Sequence, residues 1–377
     1  MRKGWETKTL GDLCEIYQPK TISGKEMVED GAYPVYGANG VIGRYNQFNH
    51  EKAQLLITCR GATCGSVNIS APQSWITGNA MVVRPKNGSL EMRYLEYLFR
   101  GGIDISRAIT GAAQPQITRT NLAPLEISFP VSIGEQRRIV SILDKAFEGI
   151  ATAQATAEQN LQNARALFES HLQSVFIQRV DNPVVPIGDV AEVFDGPHAT
   201  PKTVDVGPVF LGISALQDGR INLGETRHVT PQDFRHWTRR VKPQADDIVF
   251  SYETRLGQAA IIPEGLECCL GRRMGLVRVN RKRIDPRFFV YQYISPSFRK
   301  FLDSKTVRGA TVDRIALKDF PSFPISLPSL AEQKRMTSQL DQLRAKTQRL
   351  EAIYQQKLAA LDELKKSLLH QAFNGEL

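Results

Sequence analysis

The side chains of this 377-residue chain that are best placed for chemistry are arginines, amides and hydroxyls in glycine-flanked loops. Arg60 and Thr63 stand in LLITCRGATCG (55–65), where Gly61 and Gly65 permit close backbone approach. Tyr252, Thr254 and Arg255 stand in the matching IVFSYETRLG (248–257), with Gly257 in the same role. Gln114 and Gln116 follow Gly111-Ala112, and Arg308, Thr311 and Arg314 occupy the equivalent turn at Gly309-Ala310. A guanidinium fork fits the acceptor pair of guanine or a phosphate, and a primary amide fits adenine. These loops therefore point to nucleic acid. Arg272 and Arg273 follow Gly271, and Arg239 lies with Arg235 and Arg240 around Trp237; a solvated basic loop is the alternative for both groups. Arg44, Lys20 and Gln18 are weaker choices, and His198 in DGPHATP is read first as a turn residue.

No catalytic set accompanies them. A GxxxxGK[ST] phosphate loop is absent, and Asn182-Pro183 is followed by Val184 rather than by the second proline of an amino-methylase tetrad. Glu363-Leu364-Lys365 has the residue types of a nuclease site but lies on a heptad helix. Five cysteines, including Cys59, Cys64 and the adjacent Cys268-Cys269, form no CxxC pair, so the expectation is buried thiols in a reducing cytosol, without disulfides, metal or cofactor. No apolar run is long enough to span a membrane, and the start MRKGWETKTLGDL does not read as a signal peptide, which gives a cytoplasmic expectation. The net charge is +9, and of 21 basic residues in 184–328, 15 are arginine, a bias suited to phosphate and base edges. The aromatic residues fall mostly on apolar periodic positions, so core packing outweighs base stacking.

The elements that must position these loops occur twice. EQRRIVSILD (135–144) returns as EQKRMTSQLD (332–341), and a heptad register runs on from each. On the first segment it passes through Ile139, Leu143, Ile150 and Leu167, with Ala146, Ala153, Ala157 and Ala164 between. On the second it passes through Leu340, Leu343, Leu350, Tyr354, Leu361 and Leu364. Two helices of about 40 residues, each roughly 60 Å long, are expected, with small residues on one packing against large ones on the other. Asn160 and Lys357 are candidates for fixing their register, and Ser132 and Ser329 stand three residues before Glu135 and Glu332, the capping-box spacing. Periodicity leaves parallel and antiparallel pairing open. Outside the helices, Leu10-Gly11-Asp12 matches Ile187-Gly188-Asp189, Met81 matches Met274, Arg93-Tyr94 matches Arg287-Phe288 and Tyr97 matches Tyr291. Short β-type runs fill both blocks. The second copy is about 20 residues longer, and the sequence places most of the extra length before position 250, around Phe234 to Val241.

In order and in duplicate, these segments resemble the specificity subunits of type I restriction-modification systems. The resemblance rests on YPVYGANGVIGRY (33–45), LLITCRGATCGSVNI (55–69), DIVFSYETRLGQAAIIPEG (247–265), CLGRRMGLVRV (269–279) and the EQRRI and EQKRM helix starts. It implies an α+β chain with a pseudo-twofold repeat: target recognition domains at 1–133 and 184–328, and long helices at 134–183 and 329–377 that form an antiparallel coiled-coil spacer. It also implies a non-catalytic DNA-recognition subunit for a bipartite, asymmetric double-stranded target. The partners it implies are two adenine methyltransferase subunits and two endonuclease/translocase subunits. A free-standing DNA-binding regulator, or a fused restriction or methylation enzyme, is the alternative.

Overall fold

A computed structural model describes residues 4–111, 113–177, 182–308 and 312–377; Ala112, Gly309, Ala310 and Thr311, which the sequence singled out, lie outside them. The chain divides into two compact units, Met1–Glu158 with Gln355–Leu377, and Gln159–Tyr354. The division cuts both long helices, so each unit contains a part of each.

The two units use one strand order. In the first, a four-stranded antiparallel sheet runs Cys14–Tyr17, Ala80–Pro85, Leu55–Thr58, Val67–Ile69. In the second it runs Ala191–Asp195, Met274–Val279, Ile248–Ser251, Ala259–Ile261. Each unit adds a three-stranded sheet with one parallel pair: Tyr33–Gly37 with Trp75–Ile76, and Val204–Leu211 with Cys268–Leu270. The central strands read as continuous apolar runs because both of their faces are covered; Leu55, Ile57, Ile248 and Phe250 are fully buried.

The pairing corrects one alignment. Thr58 faces Ala80 and Ser251 faces Met274, so Ala80, not Met81, is the equivalent of Met274. A one-residue shift moves a side chain to the other face of the sheet. Met81 accordingly belongs to the large core of the first unit, and Met274 to the smaller cluster behind the sheet of the second. Gly275 takes the place of Met81 because a Cβ there would meet the Phe250 ring at 2.5 Å.

The extra length of the second copy is also distributed differently. In the first unit Gly37 turns to Gly40 within a tight hairpin. In the second, the chain between Leu211 and Arg227 builds a small hairpin, Leu216–Gln217 with Arg220–Ile221, before returning. The Phe234 region adds a further part, as the helix Pro231–Trp237, and a few more residues enter between Tyr291 and Ile315, where the helix Pro296–Lys305 lies.

The long helices are Ile133–Ile177 and Leu330–Asn374, and they pair antiparallel. Within the first unit, Arg138 donates to the Leu377 carbonyl at 2.7 Å and Gln154 to Asp362 at 2.7 Å, while Lys365 sits 5.3 Å from the Phe147 ring centre. Within the second unit, Arg165 donates to Glu351 at 3.0 Å and Arg344 lies over Phe168 at 5.1 Å. Numbers rise on one helix as they fall on the other.

Residue by residue, three of the ten expected seam positions lie outside the buried stripe. Ile139, Leu143, Ile150 and Leu340 are buried, and Leu343, Tyr354 and Leu361 are half-buried. Leu167, Leu350 and Leu364 are 52 %, 39 % and 47 % exposed. After Ala164 the buried stripe takes two four-residue steps, to Phe168 and Leu172, which rotate it past Leu167. On the second helix, the seam positions alternating with Leu340, Thr347 and Tyr354 are Arg344, Glu351 and Leu358. A search for apolar periodicity misses Arg344 and Glu351 because both are charged and act through pairing across the seam. Asn160 is half-buried and Lys357 exposed, and neither makes a side-chain hydrogen bond across the helices among the described residues.

The repeated EQ…D motif has one physical meaning in both places. Gln136 and Gln333 are completely buried at the helix starts. Gln136 donates to the carbonyls of Pro130 and Ser89 and accepts from the Glu91 amide. Gln333 repeats this with Pro328, Arg283 and Asp285. About two turns further on, Asp144 accepts from Tyr97 and Arg93, and Asp341 from Tyr291 and Arg287. Burial first, and the neighbouring carboxylate second, push the Tyr97 and Tyr291 phenols up to about 12. The unfolded chain releases these protons near pH 10 while the folded chain keeps them. Their contribution to stability is therefore full below about pH 10 and is lost as pH rises through 10 toward 12. Tyr291→Phe should flatten the alkaline fall in stability by about 1.4 kcal/mol per pH unit in that window, measured by urea unfolding. An unchanged slope would refute the assignment.

Candidate nucleic-acid interface

In each unit the loop after the central strand is zipped to a later turn by backbone bonds. In the first, Ile117 donates to the Cys59 carbonyl at 2.9 Å, Gly61 donates to Pro115 at 3.1 Å, and Arg60 bridges Gln116. In the second, Ile315 donates to Tyr252 at 2.9 Å, Thr254 donates to Asp313 at 3.3 Å, and Glu253 bridges Arg314. The bonds therefore equate Cys59 with Tyr252, Arg60 with Glu253, Gly61 with Thr254 and Gln116 with Arg314. The turn at Gly61 has φ +87°, and Thr254 holds the same left-handed turn at φ +65°, a conformation a β-branched residue rarely adopts. Gly65 and Gly257 match as well, but they face their own unit: a Cβ at Gly257 would strike Arg299, and one at Gly65 would touch Ile105.

The first unit thus gathers Arg60, Thr63, Gln114 and Gln116 on one exposed rim. Arg44 lies elsewhere, on the hairpin Tyr33–Gly37/Gly40–Tyr45, and donates to the carbonyls of Gly31 and Ala32, so two of its donors hold the chain together. Gln18 is spent on Gly78 at 3.0 Å.

In the second unit the candidates separate into tied and free groups. Tyr252 is buried and donates to Asp195 at 3.0 Å, so it is a support for the rim rather than part of its surface. Asp195 also meets His198 at 2.9 Å and Arg240 at 4.0 Å. Arg255 donates to the Ser214 carbonyl at 3.1 Å, Arg239 meets His236, and Arg308 stands 3.7 Å from Asp303. Arg273 is paired with Glu253 at 2.6 Å. Arg272 is exposed and makes no hydrogen bond or ion pair among the described residues. Arg272, Arg273, Arg314, Lys318 and His198 line one cleft of about 420 Å³, with Glu253 and Asp195 in its wall. A second cleft of about 300 Å³ holds Arg239, Arg240, His236 and Trp237 beyond Asp195. Sequence reasoning missed Glu253 and Lys318; aligning the copies by strand ends would have set Glu253 opposite Arg60.

Burial pushes the thiols of Cys14, Cys268 and Cys269 up to about 12, away from nucleophilic use. Among the described residues, no three His, Cys, Asp or Glu side chains gather to hold a metal ion, and no helix is long and apolar enough to cross a membrane.

A duplicated α+β unit, with a polar rim in each copy and two antiparallel helices, defines a two-module protein. The family model for the type I restriction modification DNA specificity domain matches residues 2–162 and again 180–359, and the chain belongs to that family. It is 27% identical over 174 residues to the Type I restriction enzyme EcoBI specificity subunit of Escherichia coli, a match covering 45% of this chain and 36% of that one. It is 20% identical over 400 residues to the EcoDI specificity subunit of Escherichia coli, covering 99% of this chain and 88% of that one. The fold matches that of a chain from a structure of a type I R-M system concerned with complex assembly and conformational transition, with TM-score 0.77, 19% identity, and coverage of 100% and 99%.

Proposed function

We propose that this chain is the non-catalytic DNA-recognition subunit of a type I restriction-modification enzyme. Each unit reads one half of a bipartite, asymmetric duplex target, and the helix pair holds the gap between halves. The observation that carries this reading is the divergence of functional groups on an equivalent backbone. Arg60 answers to Glu253, Gly78 to Arg272, Asn79 to Arg273 and Gln116 to Arg314. Equal frames with unequal donors and acceptors suit two dissimilar base sequences, whereas a palindrome reader needs equal ones. Adenine methyltransferase and endonuclease/translocase subunits, two of each, supply the chemistry. Leu350 and Ile353, 39 % and 46 % exposed on the outer face of the second helix, offer them an apolar contact.

The test is co-expression with a cognate methyltransferase subunit, followed by genome-wide mapping of methylated adenines. The expected result is one motif with two unlike halves and one fixed gap, and a lower yield of complex with Ile353→Glu. Methylation at a single continuous or palindromic motif would overturn the reading, as would methylation by this chain alone.

A further inference from the structure

The cleft of the second unit has a feature that a phosphate clamp would avoid. Glu253 is only 8 % exposed, and its carboxylate lies 2.6 Å from one Nη of Arg273. A carboxylate at that distance cancels most of the guanidinium's net charge and repels phosphate. It also fixes the plane of the fork while leaving the remaining N–H groups to donate elsewhere. Arg273 itself holds φ +66°, a left-handed backbone conformation uncommon for a residue with a side chain. Such strain persists only where the surroundings enforce it. The neighbouring Arg272 and Lys318 line the same cleft without an ion pair among the described residues.

We infer that Arg273 is a specificity-determining residue of the second unit, donating to the O6/N7 edge of a guanine in the major groove, and that Glu253 is the residue that positions it. Arg272 and Lys318 neutralise flanking phosphates. In the first unit no such pair can form, because Asn79 and Arg60 occupy the two equivalent positions. Recognition by an arginine held at this position therefore belongs to the second half-site alone. This rests on the reading of the chain as a bipartite DNA recogniser.

The experiment measures binding of the chain, complexed with its methyltransferase subunit, to duplexes varied at each position of the target, over a series of salt concentrations. Arg273→Lys keeps charge and stem but loses the fork. It should lose about ten- to a hundredfold of discrimination at one G·C pair of the second half-site, with the salt dependence unchanged. Arg272→Ala should weaken all sequences alike and lower the salt slope by about one. Glu253→Gln should lower discrimination at that same G·C pair while raising affinity for unrelated duplex, a combination that mere loss of fold does not give. Full discrimination by Arg273→Lys and Glu253→Gln, or a uniform loss with a smaller salt slope in Arg273→Ala, overturns the inference alone. A wild-type complex without sequence preference overturns the proposed function first and the inference with it.

Discussion

Adding four residues to the first long helix between Ala155 and Thr156 should reduce modification of the natural target by about a hundredfold or more. Four residues advance a helix by about 6 Å and rotate its downstream part by about 40°. Helix pairing fixes the register on both sides of the insertion: Gln154 meets Asp362 in the first unit, and Arg165 meets Glu351 in the second. Both cannot survive a change in one helix only. If the two readers then fail to engage one duplex together, the gain from joining them, typically about 10²–10⁴, is lost. A second insertion of four residues between Ala360 and Leu361, opposite the first, should restore pairing and move the preferred gap by about two base pairs, at roughly 3.4 Å per pair. Methylation of gap-length variants of the target, with the complex of chain and methyltransferase, reads both results. Unchanged activity on the original gap after the single insertion would contradict the spacer role.

Gln136→Ala and Gln333→Ala should each destabilise one unit by about 3–6 kcal/mol. Each glutamine, itself without exposure, closes three backbone groups at a helix start, one through a buried bond (Pro130 or Pro328) and two through partly buried bonds. An unsatisfied buried donor or acceptor costs about 1–3 kcal/mol. Calorimetry should show the transition of the affected unit lowered by roughly 10 °C or more, Gln136→Ala acting on the first unit and Gln333→Ala on the second. A loss below about 1 kcal/mol would mean that the repeated glutamine is not structural.

These two glutamines show how legible the chain was. The repeat EQ…D was visible as a string, and it located both long helices and their capping serines. Its cause was not visible, because the partners of Gln136 are backbone groups at Ser89, Glu91 and Pro130, brought near only by the fold. The seam shows the same division. Ile139, Leu143 and Leu340 stand on it because apolar burial has a periodicity that sequence carries. Arg344 and Glu351 escaped because a charged side chain enters a seam only with a partner, and partners are long-range information. At the rim, the arginines and glutamines announced their chemistry by type, whereas which of them were free did not follow from type. Tyr252, Arg255 and Arg44 are spent on Asp195, Ser214 and the Gly31–Ala32 backbone. Glu253 looked like an unremarkable acid until backbone bonds set it where the other unit keeps Arg60.

The proposed function makes one mechanical demand: the paired helices must keep two unlike base-sensing modules at one separation along a duplex. It is tested most directly by methylation rates on a set of duplexes in which both half-sites stay intact while the unread stretch between them is lengthened or shortened by single base pairs. A sharp optimum at one length, with rates falling by about tenfold or more one base pair to either side, is the expected profile. Equal rates across several lengths would show that the helices do not measure distance.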